Sequence, residues 1–217
     1  MEHPVNDYWN TRLAQVKAVF EANNFEVHVA QNADAARDLV ANTLIPAIAP
    51  KSVSWGGSMT FTATGLYALL KERTDIQVFD TFDKSLSKED ALERRRQALL
   101  TDLFITGTNA LTETGKLVNL DMIGNRVGAL AFGPRRVIVL AGRNKIVADV
   151  DGAVARIKDY AAPVNTRRLD KKTPCVKTTT CHDCSSPDRI CNTWVITEKS
   201  FPKERIILVL INQDLGF

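Results

Sequence analysis

The 217-residue sequence contains no apolar run near the roughly 18 residues that cross a bilayer, and its opening stretch MEHPVNDYWNTR lacks the apolar core of a secretory signal. A membrane span is not expected, and the chain is read as cytoplasmic. Net charge is small: 28 lysines and arginines stand against 25 aspartates and glutamates, scattered along the chain. No dedicated nucleic-acid surface follows from such a balance. Histidine is scarce, and His3, His28 and His182 form no triad with a serine. Cysteine is scarce too. Its four copies all fall between Cys175 and Cys191, whereas a disulfide framework would be spread over a chain of this size. No internal repeat or low-complexity linker interrupts the sequence, and with 45% apolar residues it can bury one ordinary core. One domain over residues 1–217 is expected.

What is present is an alternation of helical and strand patterns. Asn6 or Asp7 is read as the cap of a helix carrying Trp9, Leu13, Val16, Val19 and Phe20, ended by Asn23-Asn24. A strand from Phe25 to Ala30 follows, and Asn32 precedes a second helix, through Ala36, Leu39, Val40 and Leu44, expected to stop before Pro46 and Pro50. Ser52 to Trp55, Ile76 to Phe79, Leu103 to Ile105, Lys116 to Leu120 and Val137 to Ala141 read as further strands. Ser87, with Asp90 three residues on, caps the helix that carries Arg94, Arg95 and Arg96. The last helix of the alternation runs from about Asp149 and is expected to end before Pro163. Short β-branched runs closed by glycine are the signature of buried parallel strands, so the fold class is α/β with a mostly parallel sheet.

Three of these strands open into small-residue turns: Gly56-Gly57-Ser58, Gly107-Thr108-Asn109, and Gly142 with Asn144 and Lys145. Free backbone N–H groups at strand ends suit a carboxylate or phosphate, and the three turns are expected to converge on one small-anion pocket. Asn125 and Arg126, at the start of a short helix that Gly133-Pro134 stops, are candidates for the same anion; a cap and a salt bridge are the plainer account. Asp121 is read as a base or as the cap of that helix. Glu113 is read as a carboxylate nucleophile or as a plain turn residue.

Residues 165–191 leave the alternation: they are polar, basic and cysteine-bearing, and too long for an ordinary connection. The spacing C-x5-C-x2-C-x6-C lets Cys181 and Cys184 reach one metal across a tight turn, with Cys175 and Cys191 completing four sulfur ligands. An iron–sulfur cluster, a structural zinc and free or redox-paired thiols all remain open on spacing alone, with His182 a possible alternative ligand. Trp194 to Thr197 and Ile206 to Ile211 read as two strands paired in a C-terminal β-hairpin around Phe201-Pro202-Lys203.

The segments TGTNALTETGKLVNLDMIGNRVGALAFGP and VIVLAGRNKIV, the SWGGSMT turn and the cysteine tail ending in LGF together resemble the LUD-domain family, the lactate-utilisation-type proteins. The resemblance implies a three-layer doubly wound α/β domain similar to the sugar-phosphate isomerase and CoA-transferase group. It also implies a link to L-lactate oxidation, in which related proteins act as parts of an iron–sulfur complex, with other lactate-utilisation proteins as partners. The ferredoxin-like domain of the larger members is absent from this sequence. A sugar-phosphate- or CoA-ester-binding enzyme with structural cysteines, and a module sensing a carboxylate or redox state, are the rival expectations.

Overall fold

The structure is a computed structural model describing residues 2–217; the side chains of Glu2 and His3 lie outside the description, and with them the reading of His3. Helix α1 (Glu2–Ala22) leads to strand β1 (Glu26–Ala30), then α2 (Ala33–Leu39) and α3 (Ile45–Ile48) to β2 (Ser52–Trp55). Helices α4 (Met59–Ala63) and α5 (Leu66–Lys71) precede β3 (Gln77–Phe79), and α6 (Lys88–Gln97) precedes β4 (Leu103–Gly107). There follow β5 (Ala110–Thr112), β6 (Leu117–Asp121), α7 (Asn125–Ala131), β7 (Arg136–Gly142) and β8 (Ile146–Val147). Helices α8 (Val150–Arg156), α9 (Ala162–Arg168) and α10 (Pro174–Thr178) and strands β9 (Thr193–Thr197) and β10 (Ile206–Ile211) complete the chain.

Six strands form one sheet in the order β1-β10-β7-β4-β2-β3, every neighbouring pair parallel. Period-two alternation divides its strands between two cores. In β7, Ile138 and Leu140 face one core and Val137 and Val139 the other; in β10, Ile207, Val209 and Ile211 oppose Ile206, Leu208 and Leu210. The first core is closed by Val40, Leu44, Phe61, Leu66 and Leu70, the second by Leu13, Val16 and Phe20 of α1 and by Leu130 of α7. Helices on both faces of a parallel sheet make the expected three layers. Each fully buried Leu, Ile, Val or Phe contributes about 1.5–3 kcal/mol, so these paired rows dominate the stability of the domain.

The C-terminal hairpin does not form. Strand β9 pairs antiparallel with β6 at the edge of a second sheet ordered β8-β5-β6-β9, while β10 lies between β1 and β7 in the main sheet. The sequence Ile-Ile-Leu-Val-Leu-Ile is buried at every position, which a two-faced central strand requires and a surface hairpin cannot supply.

The prolines also behave differently from expectation. Pro46 and Pro163 do not end their helices: each is the second residue of an α segment, and each follows a π turn, Val40–Leu44 and Ile157–Ala161. The widened turn bonds Ile45 N–H to Val40 O and Ala162 N–H to Ile157 O, so the chain turns without the proline N–H. Ser87 caps as read, accepting from Asp90 N at 3.1 Å, and Asn32 caps α2, accepting from Ala35 N at 2.9 Å. Asn6 and Asp7 do not cap, since α1 already begins at Glu2.

Candidate functional site

Because β2, β4 and β7 are parallel neighbours, the turns after them leave the same carboxyl edge of the sheet. They approach closely. A Cβ on Gly107 would stand 2.4 Å from Ser58 Oγ, one on Gly56 3.1 Å from Arg126 Cγ, and one on Gly216 3.2 Å from Lys145 Nζ. Ser58 Oγ already accepts from Phe61 N at 3.1 Å as the cap of α4, so it has little freedom to retreat. Gly107→Ala is therefore expected to lower stability by about 1–3 kcal/mol through overpacking and loss of that cap, read as a shift in denaturation midpoint. An unchanged midpoint would show that the turns do not constrain one another.

Arg126 is buried, and its guanidinium is engaged within the protein. Nη1 donates to Asn119 Oδ1 at 2.6 Å and to Gly107 O at 3.3 Å, Nη2 donates to Asn109 Oδ1 at 2.7 Å and to Leu120 O at 3.1 Å, and Nε lies 3.6 Å from Asp121 Oδ1. Burial lowers its pKa, and Asp121 opposes that shift. Asp121 also caps α7, accepting from Arg126 N at 3.0 Å and Val127 N at 3.3 Å. Asn109 is held as firmly: its Oδ1 accepts from Leu120 N at 3.0 Å as well. The hydroxyl of Thr108 donates to Ala110 O at 2.8 Å, and Asn125 enters no hydrogen bond through its side chain among the described residues.

Lys145 stands apart. Buried to 4% exposure, its Nζ donates to Thr108 O at 3.0 Å, and no carboxylate lies within ion-pair distance among the described residues. Burial first, then the nearby Arg156 and Arg126, push its amine down to about 7. Arg156, which sequence reading missed, joins the same turns by donating to Asn109 O at 2.8 Å and Asn144 O at 3.2 Å. Over them lies the C-terminal segment: Asn144 accepts from Leu215 N at 3.1 Å and donates to Gly216 O at 3.2 Å, and Thr60 Oγ1 donates to Leu215 O at 3.1 Å. Gly142 leaves room for this cover, since a Cβ there would meet Leu215 N at 2.7 Å. Gly57 borders open space.

The four cysteines are free, half-buried, and line one narrow cavity together with Lys158 and Arg189. Helix α10 opens on Pro174 and closes at Thr179 in the left-handed region (φ 60°), which turns the chain after Cys175 toward Cys181. Arg189 staples the remainder, donating to Cys184 O at 2.5 Å, to Cys191 O at 2.9 Å and to Asp183 Oδ1 at 2.7 Å, while Lys158 Nζ reaches the same carboxylate at 3.2 Å. Burial raises the Cys191 thiol pKa, Cys181 and Cys175 raise it further, and Lys158 and Arg189 oppose them. Thiol Sγ of Cys175 lies 3.2 Å from Thr173 Oγ1. His182 is exposed, its ring bonded to Thr178 Oγ1 at 2.8 Å. Among the described residues no three His, Cys, Asp or Glu side chains gather closely enough to hold a single metal ion. A wider, open groove of about 470 Å³ lies elsewhere, between α1 and Glu113, whose carboxylate pairs with Arg12 at 2.8 Å.

The LUD domain model matches residues 13–211. The chain belongs to the LUD-domain family. A DUF162 family protein from Deinococcus radiodurans is similar in structure over 94% of this chain and 97% of its own, at a TM-score of 0.51 and 16% identity, and so supports the fold. Ribose 5-phosphate isomerase from Plasmodium falciparum aligns over 53% of this chain and 54% of its own, at 17% identity and a TM-score of 0.31. The eIF2B-beta2-delta2 complex from C. thermophilum aligns over 91% and 54%, at 14% and 0.34. No curated protein matches the chain.

Within this LUD domain the residues nominated from sequence fall into two groups. Ser58, Gly107, Thr108, Asn109, Arg126, Gly142 and Asn144 shape and brace the strand-end turns, whereas Lys145 is a buried amine with no carboxylate partner among the described residues. No described helix of the LUD domain is long and apolar enough to cross a membrane. The state of Lys145 is open to measurement. Unfolded, its amine titrates at 10.5, so between about 7 and 10.5 the unfolded chain holds a proton that the folded chain has released. Stability therefore rises with pH through that window, by at most about 1.4 kcal/mol per pH unit, and the destabilisation from the buried charge is complete below pH 7. Relative to Lys145→Met, the native chain is expected to gain stability from pH 7 to 10 in denaturant titrations; parallel profiles would place the amine in ordinary solvent.

Proposed function

We propose that this LUD-domain protein is a cytoplasmic redox or accessory component of L-lactate oxidation that works with other lactate-utilisation proteins. In this reading Cys175, Cys181, Cys184 and Cys191 hold an iron–sulfur cluster, which supplies one-electron chemistry when bound. The observation that carries it is the convergence of four free cysteines, drawn from one seventeen-residue stretch, on a single cavity with two cationic side chains. The donor set fits: four thiolates are the usual ligands of such clusters, and Lys158 and Arg189 offset their charge.

The chain's own residues would bring a second reactant near. Arg156 touches the Lys145 turn and Lys158 lines the cysteine cavity, two residues apart on one helical run. A small carboxylate or phosphate beside Lys145 would favour the protonated form of its amine and meet that charge together with Arg156, and the C-terminal segment would exclude water from it. The test is iron and acid-labile sulfide analysis of protein purified without oxygen. Iron and sulfide in matching stoichiometric amounts, with brown colour, are expected; stoichiometric zinc without sulfide, or no metal, would overturn the cluster.

A further inference from the structure

The positive charge of this chain is not evenly placed. Residues 156–191 carry eight lysines and arginines against four aspartates, and the rest of the chain twenty against twenty-one, so the whole positive excess lies in the cysteine-bearing segment. Six of its eight cations take two positions. Lys158 and Arg189 line the cysteine cavity and share Asp183. Arg167, Arg168, Lys172 and Lys177 are exposed, lie outside the cavity lining, and have no carboxylate within ion-pair distance among the described residues. Hydrogen bonds fix where they sit. Arg167 Nη2 donates to Val176 O at 2.6 Å, which sets it beside Lys177, and Lys172 is tied to the other side of the loop through Asp188 at 2.8 Å and Ser186 at 2.9 Å. Charge facing inward already offsets the thiols; the outward charge is left without a counterpart.

We propose that this rim docks an acidic protein that carries single electrons, with Arg167, Arg168, Lys172 and Lys177 as its contacts. The choice of an electron carrier rests on the redox reading above; the acidic character rests on charge complementarity alone. Two other anionic partners fit less well. Between Tyr160 and Trp194 there is no Phe, Tyr or Trp on which a nucleic-acid base could stack, and the ring of His182 is already bonded to Thr178. The same stretch exposes Leu169 as its one large hydrophobic side chain among the described residues, too little to seat a membrane surface.

The experiment titrates anaerobically purified protein with flavodoxin, an acidic one-electron carrier, and in parallel with a labelled oligothymidylate. Iron and sulfide are measured on the same samples. Association with flavodoxin is expected to weaken ~10-fold or more between about 50 mM and about 500 mM salt, and similarly in the Lys172→Glu/Lys177→Glu double variant at low salt. Metal content should be the same in both proteins. Cluster present with no binding, or binding indifferent to salt and to the charge reversal, overturns the docking rim. Tighter binding of the oligonucleotide than of flavodoxin overturns it in favour of nucleic acid. Salt-sensitive flavodoxin binding by protein that holds no iron keeps the rim and removes the cluster instead, so the two readings fail separately.

Discussion

Arg126→Met is expected to destabilise the domain by about 3–5 kcal/mol, a fall in melting temperature on the order of 10 °C for a chain of this length. The guanidinium is a buried charge whose donors bind Asn109, Asn119, Gly107 and Leu120, so it joins the end of β4 to the end of β6. Methionine matches the volume of the stem and supplies no donor. Asp121 then loses its cation, and the acceptors of two asparagines lose their strongest partner in a place water does not reach. Denaturant unfolding of the variant beside the native protein measures the effect. An unchanged midpoint would return Arg126 to the role first read for it, a residue free to hold an anion; a large fall identifies it as the brace on which the turns depend.

That outcome illustrates how sequence and structure divide the information here. The position of Arg126 at a helix start beside glycine turns is local and legible, but the acceptors of its hydrogen bonds lie 6 to 19 residues away, and nothing in the local pattern says that they consume its donors. Strand identity was legible for the same reason, since β-branched runs closed by glycine state their own burial. Pairing was not. The run Ile206–Ile211 reads as the hairpin partner of its neighbour in sequence, yet its register is with Val137 to Gly142 on one side and Glu26 to Ala30 on the other. Its unbroken apolar composition marks it as a strand in the sheet or against it, but composition does not name the neighbours. Strand β5, three residues long, was too short to show a period. Pro46 and Pro163 misled because a proline rule written for α-helices takes no account of a π turn one step earlier. The convergence of the cysteines is fixed by Arg189 and by the left-handed Thr179, both inside the loop, so their grouping was legible where the cover over Lys145 by a segment some 70 residues distant was not.

Loss of any one cysteine is expected to remove most of the bound iron. Cys181 and Cys184 are preset by a two-residue spacing, whereas Cys175 rides on α10 and Cys191 lies two residues before β9, so a cluster must draw three parts of the tail together. Four single Cys→Ser variants, purified without oxygen, should each fall to a small fraction of native iron and sulfide. Their tails should loosen while their cores hold. None of the four cysteines belongs to either core beside the main sheet, and Cys191 alone packs against the small third cluster around Leu120 and Ile157. Limited proteolysis should therefore cut the variants first within residues 165–191 and leave the sheet intact, because local stability follows local burial. A variant that retains full iron would reduce the site to three ligands. Equal protease protection in native and variant tails, with no iron in any of them, would mean that Asp183, Lys158 and Arg189 hold the loop by themselves and that the cavity between the thiols serves no metal.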